Sequence, residues 1–100
     1  MTTKLDELHV SHSKSEQRFT LEMNGSAALI SYHLAPGVIS LDHTYVSPAI
    51  QRHGVAAKLT RAALDFARAE GLRVVPACSY VADYLRKHPE YQDLVAQGKR

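Results

Sequence analysis

The chain has 100 residues, with 12 Lys and Arg against 10 Asp and Glu and a net charge of +2. That length allows one small domain with a thin core, and so balanced a charge does not by itself argue for nucleic acid, so no nucleic-acid partner is expected. No apolar run is long enough to span a bilayer and residues 1–17 hold no apolar signal core, so a cytoplasmic address without a membrane partner is expected.

"ELHVSH" (7–12) can open the fold as a short leading strand. "RFTLEM" (18–23) alternates Phe19, Leu21 and Met23, the pattern of a half-buried strand. Asn24-Gly25 is a strong hairpin signal, and "AALISYHL" (27–34) is the returning strand. Pro36-Gly37 makes a second turn before "VISLDHTYV" (38–46), rich in β-branched residues. Residues 17–46 therefore read as an antiparallel meander. The pattern changes at Ser47-Pro48. Val55, Leu59, Ala62, Ala63, Phe66 and Ala67 form one apolar stripe at helical spacing, and Gly71 ends that helix. "LRVVPA" (72–77) is a short, nearly continuous apolar strand, which suits a parallel neighbour and makes a βαβ unit. "SYVADYLRK" (79–87) is a second helix, and Pro89 opens a last helical turn over 89–95.

The junction Gln51-Arg52-His53-Gly54-Val55-Ala56 places a basic, glycine-containing segment at the mouth of the long helix. A helix start leaves about four amides unpaired and carries about half a positive charge. Such a mouth can hold phosphate, with Gly54 allowing close approach and Arg52 and Lys58 adding charge. One glycine in a loop serves equally well to turn a corner. The wider pattern is more specific. Val46-Ser47-Pro48 followed by Gln51-Arg52-His53-Gly54-Val55-Ala56 resembles the acetyl-CoA motif of the GNAT N-acetyltransferase superfamily. The resemblance covers most of residues 19–95. It extends to "LDHTYVSP", to Pro76-Ala77-Cys78 and to "HPEY" (88–91), as in a short single-domain GNAT branch.

That resemblance implies an α/β (α+β) fold over 1–100, with 1–14 and 97–100 as candidates for frayed ends. Its mixed sheet is GNAT-like: an N-terminal meander, then a βαβ unit and short C-terminal helices. It implies acetyl-CoA as cosubstrate, an amine acceptor, and CoA contacts at Val46, Gln51, Arg52, His53, Gly54, Val55, Ala56 and Lys58. Two departures stand out. Tyr45 replaces the branch's usual Glu after His-Thr, and Arg52 replaces a usual Gly.

Cys78 is the one cysteine, so neither an internal disulfide nor a paired-cysteine zinc site is available. The six histidines include no i,i+4 pair on an expected helix; no metal is expected, and His9 and His12 read as surface residues. His43 and Cys78 fall at two strand ends that can open on one sheet edge. There His43 can serve as base to a Cys78 thiolate at a helix start. Against this, a lone cysteine is commonly a small buried residue, and His43 at strand spacing shares a face with Ile39, Leu41 and Tyr45. Tyr84 lies near the position of the GNAT acid tyrosine, but core packing suits both it and Tyr80 better. Three functions compete: an N-acetyltransferase, a non-catalytic acyl-CoA-binding module favoured by Tyr45, and a protein-interaction domain. A chain this short leaves a shallow acceptor side, which suits a peptide or small amine and either a monomer or a weak homodimer.

Overall fold

The computed structural model describes residues 10–51 and 54–95. Five strands form one sheet in sequence order: β1 (Ser11–Ser13), β2 (Arg18–Met23), β3 (Ser26–Ala35), β4 (Val38–Val46) and β5 (Arg73–Pro76). The first three pairings are antiparallel and β4 pairs β5 in parallel. Helix α1 (Val55–Glu70) crosses between β4 and β5, and α2 (Ser79–Lys87) follows β5. The meander and the βαβ unit are as expected. Of the proposed leading strand, Ser11 and His12 lie in β1, while 7–9 and His9 fall outside the described residues.

Local chemistry sets these boundaries. Asn24 (φ 53°) and Gly25 (φ 79°) both adopt the left-handed region that a two-residue hairpin needs. Gly71 (φ 70°) ends α1 by donating to the Arg68 carbonyl at 3.2 Å, while Leu72 donates to Ala67 at 2.8 Å. That pair of bonds is a Schellman cap.

Phe19, Leu21 and Met23 point to one face with Ala28, Ile30, Tyr32, Ile39, Leu41 and Val74, and all are buried. Both helices pack on that face. The buried stripe of α1 is Val55, Leu59, Thr60, Ala63, Leu64 and Ala67. It is rotated from the expected one: Leu64 and Thr60 join it, and Ala62 and Phe66 are half-buried at its margin. Thr60 is tolerated because its hydroxyl donates to the Ala56 carbonyl at 2.8 Å.

The 3–4 junction carries a bulge. Ser31 pairs with His43 and Tyr32 with Leu41, so Asp42 is an extra residue on β4. A bulge shifts the alternation of the residues after it. Leu41 faces the helices, and after the bulge Thr44 and Val46 do so, opposite the buried Ile30 and Ala28. The expected shared face of His43 with Ile39 and Leu41 is thereby corrected: His43 and Tyr45 point to the other side and are exposed.

His12 also departs from the surface role expected of it. It stacks on Phe19 at 4.1 Å, meets Phe66 edge-on at 4.6 Å and hydrogen-bonds the Tyr32 hydroxyl. Burial, followed by the charge of Lys14, pushes its pKa below the ordinary histidine value. A depressed histidine contributes stability above its unfolded pKa and loses it as pH falls.

Two outcomes follow from this packing. Leu64→Ala should cost about 2–5 kcal/mol in denaturant unfolding, whereas a change below 1 kcal/mol would take Leu64 out of the core. Wild-type stability should fall from pH 7 to pH 5 more steeply than that of His12→Gln. Parallel curves would show that the aromatic box is indifferent to the charge on His12.

Candidate functional site

The segment from β4 to α1 is held at three points. Ser47 N–H donates to Ala27 at 3.0 Å, Ile50 is buried at the end of a 3-10 turn over Pro48–Ile50, and the Gln51 side chain donates to the Val46 carbonyl at 3.3 Å. Two of the expected cofactor residues, Val46 and Gln51, thus brace the loop against each other. Arg52 and His53 lie outside the described residues. Gly54 takes φ 72° at the cap position of α1, so glycine is required there for backbone reasons as well. Among the described residues no side chain caps this end, and the first turn holds no acidic residue. The first helical bond runs from Lys58 N–H to Gly54 at 3.1 Å, which leaves the amides of Val55, Ala56 and Ala57 outside the helical ladder. This arrangement suits an anion.

The second half of the site lies where β4 and β5 part. Their ladder covers only Val38–Leu41 and Arg73–Pro76. Cys78 N–H then donates to the Leu41 carbonyl at 3.1 Å, and α2 begins at the next residue. From Asp42 to Val46, β4 pairs only with β3 among the described residues. The result is a fork in the sheet, with the unpaired edge of β4 on one side and Cys78 and the start of α2 on the other.

Cys78 is half-buried at that fork, and its thiol donates to the Thr44 hydroxyl at 3.4 Å. On ionisation the hydroxyl can turn and donate instead. Burial pushes the thiol pKa up. The Thr44 hydroxyl and the amides of Val81, Tyr80 and Thr44 outweigh it, so the net shift is downward. The residue that attends Cys78 is therefore Thr44 and not His43, which lies on the opposite face of β4 because of the bulge. Nothing in the sequence marks Thr44 over its neighbour; only the phase of the strand does. Tyr84 is buried and stacks on His88 at 4.0 Å, as packing requires. Tyr80 is 36% exposed on the first turn of α2, so the packing role expected of it does not hold.

The GCN5-related N-acetyl-transferase family model matches residues 18–94. The chain belongs to this family. Among its relatives, Protein NATD1 of Gallus gallus is 32% identical over 85 residues, covering 82% of this chain and 77% of that protein. Protein NATD1 of Homo sapiens is 32% identical over 85 residues, with 82% and 75% covered. The solution structure of a GCN5-like putative N-acetyltransferase from Staphylococcus aureus superposes with a TM-score of 0.72 at 29% identity. That match covers 92% of this chain and 91% of the other. As a GCN5-related chain it has the mixed sheet with helices that the family resemblance implied. No helix among the described residues is long and apolar enough to cross a membrane, and none of their side chains group as a metal site.

Alkylation of Cys78 by iodoacetamide should follow an apparent pKa below the free thiol value of about 8.5. Thr44→Val should raise it and His43→Ala should leave it in place. The reverse order of effects would restore His43 as the partner of the thiol.

Proposed function

We propose that the chain transfers an acetyl group from acetyl-CoA to an amine. The observation that carries this reading is the parting of β4 from β5 directly after Leu41 and Pro76, with Cys78 at the fork. It sets an open cleft after the strand that leads into the uncapped mouth of α1. The pyrophosphate is assigned to Gly54, Val55 and Ala56, with Arg52, His53 and Lys58 as adjoining contacts. Val46 and Gln51 shape the loop. The pantetheine arm then runs into the cleft and brings the thioester toward Cys78.

In the two-step route, Cys78 Sγ attacks the thioester carbonyl. A bond from Sγ to the acetyl carbon forms, the bond to the CoA sulfur breaks, and CoA leaves as a thiolate that takes up a proton. An amine nitrogen then attacks acetyl-Cys78, the Cys78 thiolate leaves, and the amine proton passes to a base or to solvent. Amides at the start of α2 are the nearest donors for the oxyanion. His43 keeps a role only on the other face, as a base toward the amine. In the direct route the amine attacks with CoA in place, and Cys78 only shapes the cleft. Tyr45, in place of a carboxylate, favours a second reading in which the chain binds acyl-CoA without turnover.

Thermal melting with CoA tests the common part of these readings. At a CoA concentration about 100-fold above Kd, the native state gains about 2.7 kcal/mol and the midpoint rises by ~10 °C or more. Gly54→Val should lose the response. Gly54→Asn, which tolerates the left-handed backbone, should fold and still respond more weakly than wild type. No response in the wild type would remove CoA from this chain. Acid quenching after acetyl-CoA alone, followed by mass mapping, separates the two-step route, which leaves an acetyl group on Cys78, from the direct route, which does not.

A further inference from the structure

Both helices lie on one face of the sheet, and among the described residues no helix covers the other. On that open face, at the cleft, stands a group the acetyl-transfer reading does not use. Asp42 is the first β4 residue beyond the last rung shared with β5, Leu41 with Pro76. As the bulged residue it stays on the same side as Ser40. The Ser40 hydroxyl donates to Asp42 Oδ1 at 2.6 Å, and His33 Nδ1 of β3 lies 2.6 Å from Oδ2. The carboxylate is thus held by both oxygens at the lip of the cleft. Its side chain is 24% exposed.

Three features give this group a preference for cations. Burial raises the Asp42 pKa, but the bonds from Ser40 and His33 and the charges of His33 and His43 outweigh it, so Asp42 is an anion at neutral pH. No Lys or Arg pairs with it among the described residues: Arg18 of β2 is held by Glu16, and Arg73 of β5 donates to the Asp93 carbonyl. A carboxylate offers about four lone-pair sites, and two are taken. The side chain is partly exposed, so a remaining acceptor site can take an ammonium.

We propose that Asp42 docks a second positive charge of the acceptor, so that the preferred acceptors are amines carrying another ammonium a few carbons from the reacting one. This rests on the acetyl-transfer reading for the place of the reacting nitrogen. That nitrogen enters the cleft between β4 and Cys78. Asp42 lies one strand residue, about 3.3 Å, past the final β4–β5 rung and on the sheet face opposite Cys78, so the spacer between the two nitrogens must pass through the fork. His33 orients the carboxylate through the contact of its Nδ1 with Oδ2.

The test uses 1,4-diaminobutane and 1-aminobutane as probes, titrated into CoA-saturated protein while the amide signals of His33, Asp42 and His43 are followed by NMR. The diamine should saturate these shifts at a concentration at least tenfold lower than the monoamine. Asp42→Asn should reduce the ratio to near one. Equal saturation by the two amines, or a preference that survives Asp42→Asn, would overturn the proposal. The CoA melting response of Asp42→Asn should match wild type. Loss of that response in wild type itself would sink the acetyl-transfer reading, while the amine titration repeated without CoA would still judge Asp42.

Discussion

The Cys78 N–H bond to the Leu41 carbonyl is the last backbone hydrogen bond between β4 and the chain leaving β5 among the described residues. Everything in the candidate site is arranged around that point. Had β5 continued beside β4, residues 42–46 would be paired on both sides and closed to a ligand. The chain turns away instead. Cys78 becomes the N-cap residue of α2, and the nearby Tyr80 and Val81 amides help hold its thiol pKa down. The same turn exposes β4 along one edge and gives the only cysteine an environment that favours the thiolate.

The bulge at Asp42 sorts the residues around this fork. With one extra residue, Thr44 faces the helices and meets Cys78, while His43 and Tyr45 face outward. The cleft then has two chemically distinct sides. The helix side holds the uncapped mouth of α1, a thiol and a hydroxyl. The open side holds a carboxylate, two imidazoles and the exposed Tyr45. Among the described residues the helices cover only one face of the sheet, so on the proposed reading the acceptor meets no wall of helices there. Polar groups on the strands themselves must supply what selectivity there is.

Much of the scaffold was legible because it rests on short-range rules. Asn24-Gly25, the alternation of Phe19, Leu21 and Met23, and Gly71 each fix a local conformation that needs little tertiary help. The GNAT-like motif around Gly54 was legible for the same reason, since its spacing is contiguous. Other features depend on contacts far apart in sequence. Leu64 is buried because α1 packs against the C-terminal turn and α2 as well as the sheet, which widens the buried face beyond the stripe itself. His12 is drawn inward by Phe19, Phe66 and Tyr32 from three different elements. The choice of Thr44 over His43 hinges on a single bulged residue, and "VISLDHTYV" reads as an unbroken strand with either phase. Two adjacent polar residues exchanged faces as a result, which is why the chemistry of the fork was the least legible part of the chain.

The most direct test is a crystal structure of the chain with CoA bound. The account requires the pyrophosphate against the amides of Gly54, Val55 and Ala56, and the pantetheine sulfur between the 42–46 edge of β4 and Cys78, on the Thr44 side. A sulfur on the helix side near Thr44, with the cleft open toward Asp42, would match it. CoA lying outside the β4–β5 fork, or β5 extended along β4 so that the fork is closed in the complex, would contradict it.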